Sequence, residues 1–295
     1  MSKANLTTKE VARLLHVSEA TVKRWADGGT LQSEKTVGGH RRFSIHAIAS
    51  LRRERSIGTE SKLAGRGNAS KKAPTRPLLS PANFLDLILR GDALEAAAAL
   101  IDAYLDHHAL ATLFDTTITR AMHEVGELWF KGTITVAEEH LATHVVLGAL
   151  QKLRGIVVRG EPTGLKAICC GIEGDLHELP VHLAETIIES EGWEVTSLGP
   201  NTPLFALRDM VSKKRPQLVC VSARMIENLD RAAAEYAQLL KVAAKVDAVV
   251  IVGGEAFRDA NLRSRFPAEL YARDFEAVAR FVRALAKRKS GRPHN

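Results

Sequence analysis

Asp175 and His177 stand two residues apart in the stretch Asp175-Leu-His177-Glu-Leu-Pro180. An imidazole can offer one ring nitrogen to a metal while a nearby carboxylate accepts a hydrogen bond from the other. That bond fixes the tautomer and raises the basicity of the free nitrogen. Alone, such a pair specifies little, because a single loop histidine is more often a solvated polar residue. Here it is followed after forty-one residues by Ser222-Ala-Arg224, and then by Gly253-Gly254. A hydroxyl supplies a compact hydrogen-bonding group, and paired glycines remove side chains where a ligand needs close approach to the backbone.

The elements around these residues place them together. Apolar runs at 166–171, 194–198, 217–222 and 248–252 read as strands, with a short fifth at 270–272. The segments 179–190, 204–214, 228–245 and 275–287 carry helical patterning. Alternating strands and helices predict an α/β doubly wound parallel sheet, Rossmann-like, over residues 161–290. Ligands in such sheets bind beyond the carboxyl ends of the strands. The Asp175, Ser222 and Gly253 motifs all fall there, and Gly199-Pro200 is expected to end the second strand at the same border.

The N-terminal stretch has a different character. Residues 1–77 hold sixteen Lys or Arg against six Asp or Glu, a formal +10, which leaves −3 for the rest of a chain whose total is +7. A basic module on a mildly acidic body suits phosphate binding. Thr7-Thr-Lys-Glu10 reads as a capping box opening a first helix through Val11, Leu14 and Leu15. Ser18 caps a second, with Val22 and Trp25 inward and Glu19, Thr21, Lys23 and Arg24 outward, before Asp27-Gly-Gly ends it. Gly38-Gly-His-Arg41-Arg42-Phe43 reads as a hairpin, followed by a helix from Ser44 to about residue 55. This segment resembles the winged helix-turn-helix of the MerR family, over about fifty residues. The resemblance implies double-stranded operator DNA as partner, with Thr21, Lys23 and Arg24 at the major groove and Arg41 and Arg42 on phosphate or in the minor groove. The module is assigned to 1–57. Residues 58–80, rich in glycine, proline and lysine, are expected to form a flexible basic linker.

From 81 to 160 the pattern is helical, and four helices predict a four-helix bundle. Thr135-Val-Ala-Glu138 is a second capping box. Trp129 is followed after nine residues by Glu139-His140, at the junction between two helices. That pattern resembles the cap of the CarH/LitR family of light-responsive, adenosylcobalamin-dependent repressors, and the downstream motifs match the spacing of a cobalamin-binding domain. The resemblance covers nearly the whole chain. It implies that His177 is the lower axial ligand of cobalt, oriented by Asp175. Ser222 would hydrogen-bond the displaced cofactor base, with Gly253 and Gly254 beside the nucleotide tail. Trp129, Val136, Glu139 and His140 would cover the upper face. Three positions depart from the family pattern: Phe130 stands where a histidine commonly follows the tryptophan, Pro180 where glycine is usual, and Arg224 where threonine is usual.

The expected function is a cobalamin-controlled transcription regulator, a repressor and photoreceptor, working as a dimer or tetramer and not an enzyme. Two other readings stay open: a light-independent sensor of cobalamin or another tetrapyrrole, and a corrinoid methyl carrier. The latter needs no basic winged helix. No apolar run approaches the roughly 20 residues of a membrane span, and no apolar signal core follows Lys3 and Lys9, so a cytoplasmic protein without a membrane partner is expected. Cys169, Cys170 and Cys220 lack CxxC spacing and read as reduced buried thiols.

Overall fold

The computed structural model describes residues 5–15, 17–36, 38–44, 47–48, 51, 79–106 and 109–290. The expected linker, 58–80, lies outside the described residues except for Leu79 and Ser80. Of the helix expected after Ser44, only Ala47, Ile48 and Leu51 are described, as helical. The chain divides into two compact units, residues 1–157 and 158–295.

The first unit opens with strand β1 (Asn5–Thr7) and helices α1 (Thr8–Leu14) and α2 (Glu19–Asp27), followed by strands β2 (Ser33–Lys35) and β3 (Arg41–Ser44). The Thr7 N–H donates to Glu10 Oε2 at 2.8 Å and the Glu10 N–H donates to Thr7 Oγ1 at 3.2 Å, so the capping box closes in both directions. Burial pushes the Glu10 carboxyl up, but the backbone and hydroxyl bonds from Thr7 hold it below its ordinary value. Ser18 caps α2 by accepting from the Thr21 N–H at 3.2 Å. The strands pair antiparallel in the order β1-β3-β2, and Phe43, Val11 and Val22 are all fully buried.

Helices α3 (Pro81–Leu89), α4 (Ala93–Leu105), α5 (Leu110–Leu113), α6 (Thr119–Phe130) and α7 (Val136–Arg154) follow. Between α5 and α6 the chain makes a π turn over Phe114–Ile118. Thr135 and Glu138 complete the second capping box at the start of α7.

The second unit alternates β4 (Lys166–Ile172), α8 (Leu179–Ser190), β5 (Glu194–Thr202), α9 (Leu204–Lys214), β6 (Leu218–Ser222), α10 (Leu229–Lys245) and β7 (Val249–Gly253). After a 3₁₀ turn come α11 (Ala260–Arg265), β8 (Leu270–Ala272) and α12 (Phe275–Ser290). All strands are parallel, in the order β5-β4-β6-β7-β8. The chain leaves β4 toward β5 on one side and reaches β6 on the other, so the switch point lies between β4 and β6. One expectation is corrected. Gly199-Pro200 does not end β5, which continues to Thr202 because its register with β4 slips after Cys169 and again after Cys170. Those irregularities let the strand carry Gly199 at φ 76° and stay paired. The three cysteines are buried and free. Among the described residues, no helix is long and apolar enough to cross a membrane.

Candidate functional site

The loop after β4 carries Asp175 and His177 beyond the carboxyl end of the sheet. Asp175 is 1% exposed, whereas the His177 side chain is 47% exposed. Asp175 Oδ1 lies 2.7 Å from His177 Nδ1 and accepts the His177 backbone N–H at 3.0 Å. Asp175 Oδ2 accepts the Arg224 backbone N–H at 2.6 Å, across the switch point. Burial alone would raise the Asp175 carboxyl. The bonds from the His177 ring, the Arg224 backbone and the His177 backbone overcome this and hold it below its ordinary value. Asp175 is therefore a carboxylate at neutral pH and only accepts. The proton of a neutral His177 ring must then sit on Nδ1, which leaves the lone pair of Nε2 for a ligand.

The loop is braced further. The Asn201 N–H donates to the Asp175 carbonyl at 2.9 Å, and Asn201 Oδ1 accepts from the Gly174 N–H at 2.9 Å. Asn201, itself at φ 51°, was not singled out in the sequence, and no spacing rule points to it. Pro180 is accommodated in the first turn of α8, where a missing N–H costs nothing.

Ser222 and Gly253 do come together. Register places Gly171, Ser222, Gly253 and Ala272 opposite one another across β4, β6, β7 and β8. Ser222, Gly253 and Ala272 keep the floor of the sheet low just below the strand ends, whereas at Gly171 the space a Cβ would take is filled by Pro200, 3.1 Å away. The Ser222 hydroxyl, on a residue 9% exposed, has no hydrogen-bond partner among the described residues. Gly254 has a different reason to be glycine. Its φ is 102°, and a Cβ there would lie 2.3 Å from the Ala223 carbonyl oxygen, so the turn itself demands it. At the same end of the sheet, loops expose Leu176 and Met225, and the first turn of α9 exposes Phe205. A buried orienting carboxylate, an available imidazole nitrogen, a cleared slot and an apolar rim together fit a large flat metal macrocycle with a tail.

In the first unit, Trp129 ends α6 with its ring 49% exposed, and Val136 begins α7 at 54%. Glu139 Oε1 accepts from Thr143 Oγ1 at 3.1 Å, and Glu139 Oε2 lies 3.6 Å from His140 Nε2. Trp129, Val136, Glu139 and His140 thus belong to one helix junction, and Phe130 beside them is 83% exposed. On α2, Lys23 and Arg24 are exposed and Thr21 bonds Ser18 through its hydroxyl at 2.9 Å. Arg41 turns back onto this helix, donating to the Lys23 carbonyl at 3.1 Å and pairing with Asp27. Arg42 lies on the other face of β3, opposite Thr7 and Glu34.

Comparison with known families agrees with this geometry. Residues 6–56 match a helix-turn-helix domain, and residues 82–154 and 165–279 each match a B12 binding domain. The chain joins a helix-turn-helix domain to a helical and a Rossmann-like B12-binding domain. The HTH-type transcriptional repressor CarA of Myxococcus xanthus is 25% identical over 274 residues, 86% of this chain and 88% of its own length. Dimethylamine corrinoid protein 1 of Methanosarcina acetivorans is 23% identical over 198 residues, 66% of this chain and 91% of its own. The solved structure of the Methanosarcina barkeri monomethylamine corrinoid protein, 16% identical, matches with a TM-score of 0.58 over 68% of this chain and 96% of its own, which establishes shared fold. The resemblance to cobalamin-dependent repressors read from the sequence is borne out.

Proposed function

We propose that this chain is a transcriptional repressor whose assembly on operator DNA is set by bound adenosylcobalamin. The observation that carries the reading is the Asp175–His177 pair, which leaves Nε2 available at the switch point of a chain that begins with a helix-turn-helix domain. His177 would hold the cobalt through Nε2, as the lower axial ligand, and Asp175 holds the ring proton on Nδ1. Ser222 bonds the displaced base, and the small residues Gly253 and Ala272 make room for it. Trp129 and Val136 offer apolar cover to the upper face, and Glu139 and His140 offer hydrogen bonds to the ribose of the adenosyl group. When bound, the cofactor supplies a cobalt–carbon bond that light can cleave.

On DNA, the hairpin β2–β3 serves as the wing of a MerR-type module. Thr21, Lys23 and Arg24 face the major groove, with the Thr21 hydroxyl also bonded to the capping Ser18, and Arg42 meets phosphate. Arg41 contributes by tying the wing to α2. The four-helix bundle and the domain limits 1–57, 58–80, 81–160 and 161–290 belong to the same reading, as do a cytoplasmic location and a homo-oligomer, dimer or tetramer, that raises avidity for a repeated site.

Phe130 favours one variation. A phenylalanine cannot ligate cobalt, so no imidazole at this position caps the metal after the adenosyl group leaves. This supports a light-independent sensor as the second reading. The match to a corrinoid protein of methylamine metabolism favours a methyl carrier, but a carrier has no use for the basic helix-turn-helix domain. One experiment separates the three: visible spectrum, gel filtration and operator affinity of the purified protein with adenosylcobalamin, before and after green light. Corrinoid uptake with light-dependent assembly and DNA affinity supports the photoreceptor. Uptake that changes assembly without a light effect supports the sensor. Methyl transfer without DNA affinity supports the carrier, and absence of corrinoid uptake overturns the proposal.

A further inference from the structure

Arg224 is the residue of the Ser222-Ala-Arg224 motif whose type departs from the family pattern, and the structure explains how the departure is tolerated. What the site takes from this position is its main chain: the Arg224 N–H donates to Asp175 Oδ2 at 2.6 Å. Any residue except proline supplies that donor. The side chain is therefore free to vary, and here it is exposed. Its main chain is pinned to a carboxylate that also orients His177, so the guanidinium stands on a fixed base beside the axial-ligand loop.

The neighbouring charges do not consume it. Glu173 pairs with Arg231, which also bonds Glu235, and Glu255 pairs with Arg258. The two oxygens of Asp175 are taken by His177 and by backbone. Among the described residues Arg224 makes no ion pair. An arginine that caps no helix and pairs with no acid, anchored beside the axial-ligand loop, is placed to meet an anionic group on the ligand. The corrinoid ring carries neutral amides, and a complete corrinoid has one anionic group outside the metal centre, the phosphodiester of its nucleotide loop. Guanidinium is the side chain best matched to phosphate, because its planar fork gives two parallel hydrogen bonds.

We propose that Arg224 binds the nucleotide-loop phosphodiester and makes this chain selective for complete corrinoids over those lacking the loop. The inference rests on the cofactor reading above, and its test can fail separately. The binding of three probes to the full-length protein is titrated by visible absorbance: cobalamin, cobinamide phosphate, and cobinamide, which has no phosphate. The variants are Arg224→Gln, which keeps the backbone donor, and Lys213→Gln, which removes one positive charge from the last turn of α9 at the opposite end of the sheet.

The expected result is a loss of roughly ten-fold for Arg224→Gln with cobalamin and with cobinamide phosphate, about 1.4 kcal/mol, and no loss with cobinamide. Lys213→Gln should leave all three unchanged. The wild-type preference should also weaken as salt is raised. Equal losses on all three probes, or none, would overturn the role of Arg224 and leave the cofactor reading standing. Failure of the wild type to bind any probe would overturn both.

Discussion

Replacing Asp175 by asparagine tests the central geometry without changing its shape. The carboxylate accepts three hydrogen bonds, from His177 Nδ1 at 2.7 Å, the His177 N–H at 3.0 Å and the Arg224 N–H at 2.6 Å. An asparagine has one acceptor oxygen. Pointed at His177, it sets its amide group against the Arg224 N–H, donor against donor; pointed at Arg224, it does the same at His177. One charge-assisted bond is lost and one donor is left facing another in a site only 1% exposed. The cost is about 2–3 kcal/mol. Hydrogen exchange of the full chain reads this locally. Amides in peptides covering the β4–α8 and β6–α10 loops should exchange roughly 30- to 150-fold faster in the variant at pH 7. The pH dependence has a definite sign. Asp175 titrates below its ordinary value in the folded protein. Its contribution is therefore complete above about pH 4, the unfolded value, and fades as pH falls through the folded one. Wild type and variant should converge at the acid end. Equal exchange at pH 7, or a difference that persists undiminished well below pH 3, would refute the account.

The two glycines of the Gly253-Gly254 pair should behave differently. Gly254→Ala forces a Cβ onto the Ala223 carbonyl at positive φ and should cost about 2 kcal/mol or more in thermal or denaturant stability. Gly253→Ala meets only Ala272, its Cβ at 3.5 Å and its carbonyl oxygen at 3.7 Å, both ordinary contacts, and should cost less than about 1 kcal/mol while lowering corrinoid affinity. A stability loss at Gly253 equal to that at Gly254 would contradict the slot. Trp129→Ala removes a half-exposed ring and should shift the melting temperature little, yet weaken the coupling of corrinoid binding to assembly in gel filtration. Arg41→Ala should destabilise the helix-turn-helix domain by about 1 kcal/mol, read by circular dichroism, whereas Arg42→Ala should leave stability intact and reduce the salt slope of DNA binding by about one.

Much of the second unit was legible because strand and helix alternate with clear apolar periods. The helices at 179–190 and 204–214 and the strand at 270–272 stand where the pattern put them. The capping boxes at Thr7 and Thr135 were legible because a cap is a local contact between two residue types at a fixed interval. What escaped was carried by backbone. The bond from the Arg224 N–H to Asp175 has no signature in residue type, and neither does the bracing by Asn201. The run of β5 past Gly199-Pro200 depends on a register slip against a neighbour twenty-eight or more residues away in sequence. One detail could have been found. Arg41 and Phe43 share one face of a strand, so an inward Phe43 implies an Arg41 turned toward α2.

The two oxygens of Asp175 also bear on how the site could transmit a signal. One holds the loop after β4 that carries His177, and the other holds the loop after β6 that follows Ser222. A single buried carboxylate therefore fastens these two loops to each other. Displacing the β6 loop by even 1 Å breaks a 2.6 Å bond and leaves a buried carboxylate under-satisfied. The carboxylate then shifts toward its remaining donors at His177, which alters how firmly the Nδ1 proton is held. Under the proposed function, occupancy of the slot and the basicity of Nε2 would be linked through this one residue. Any residue other than proline supplies the donor at position 224, so the strongest effects of substitution should be found at Asp175, ahead of His177 itself.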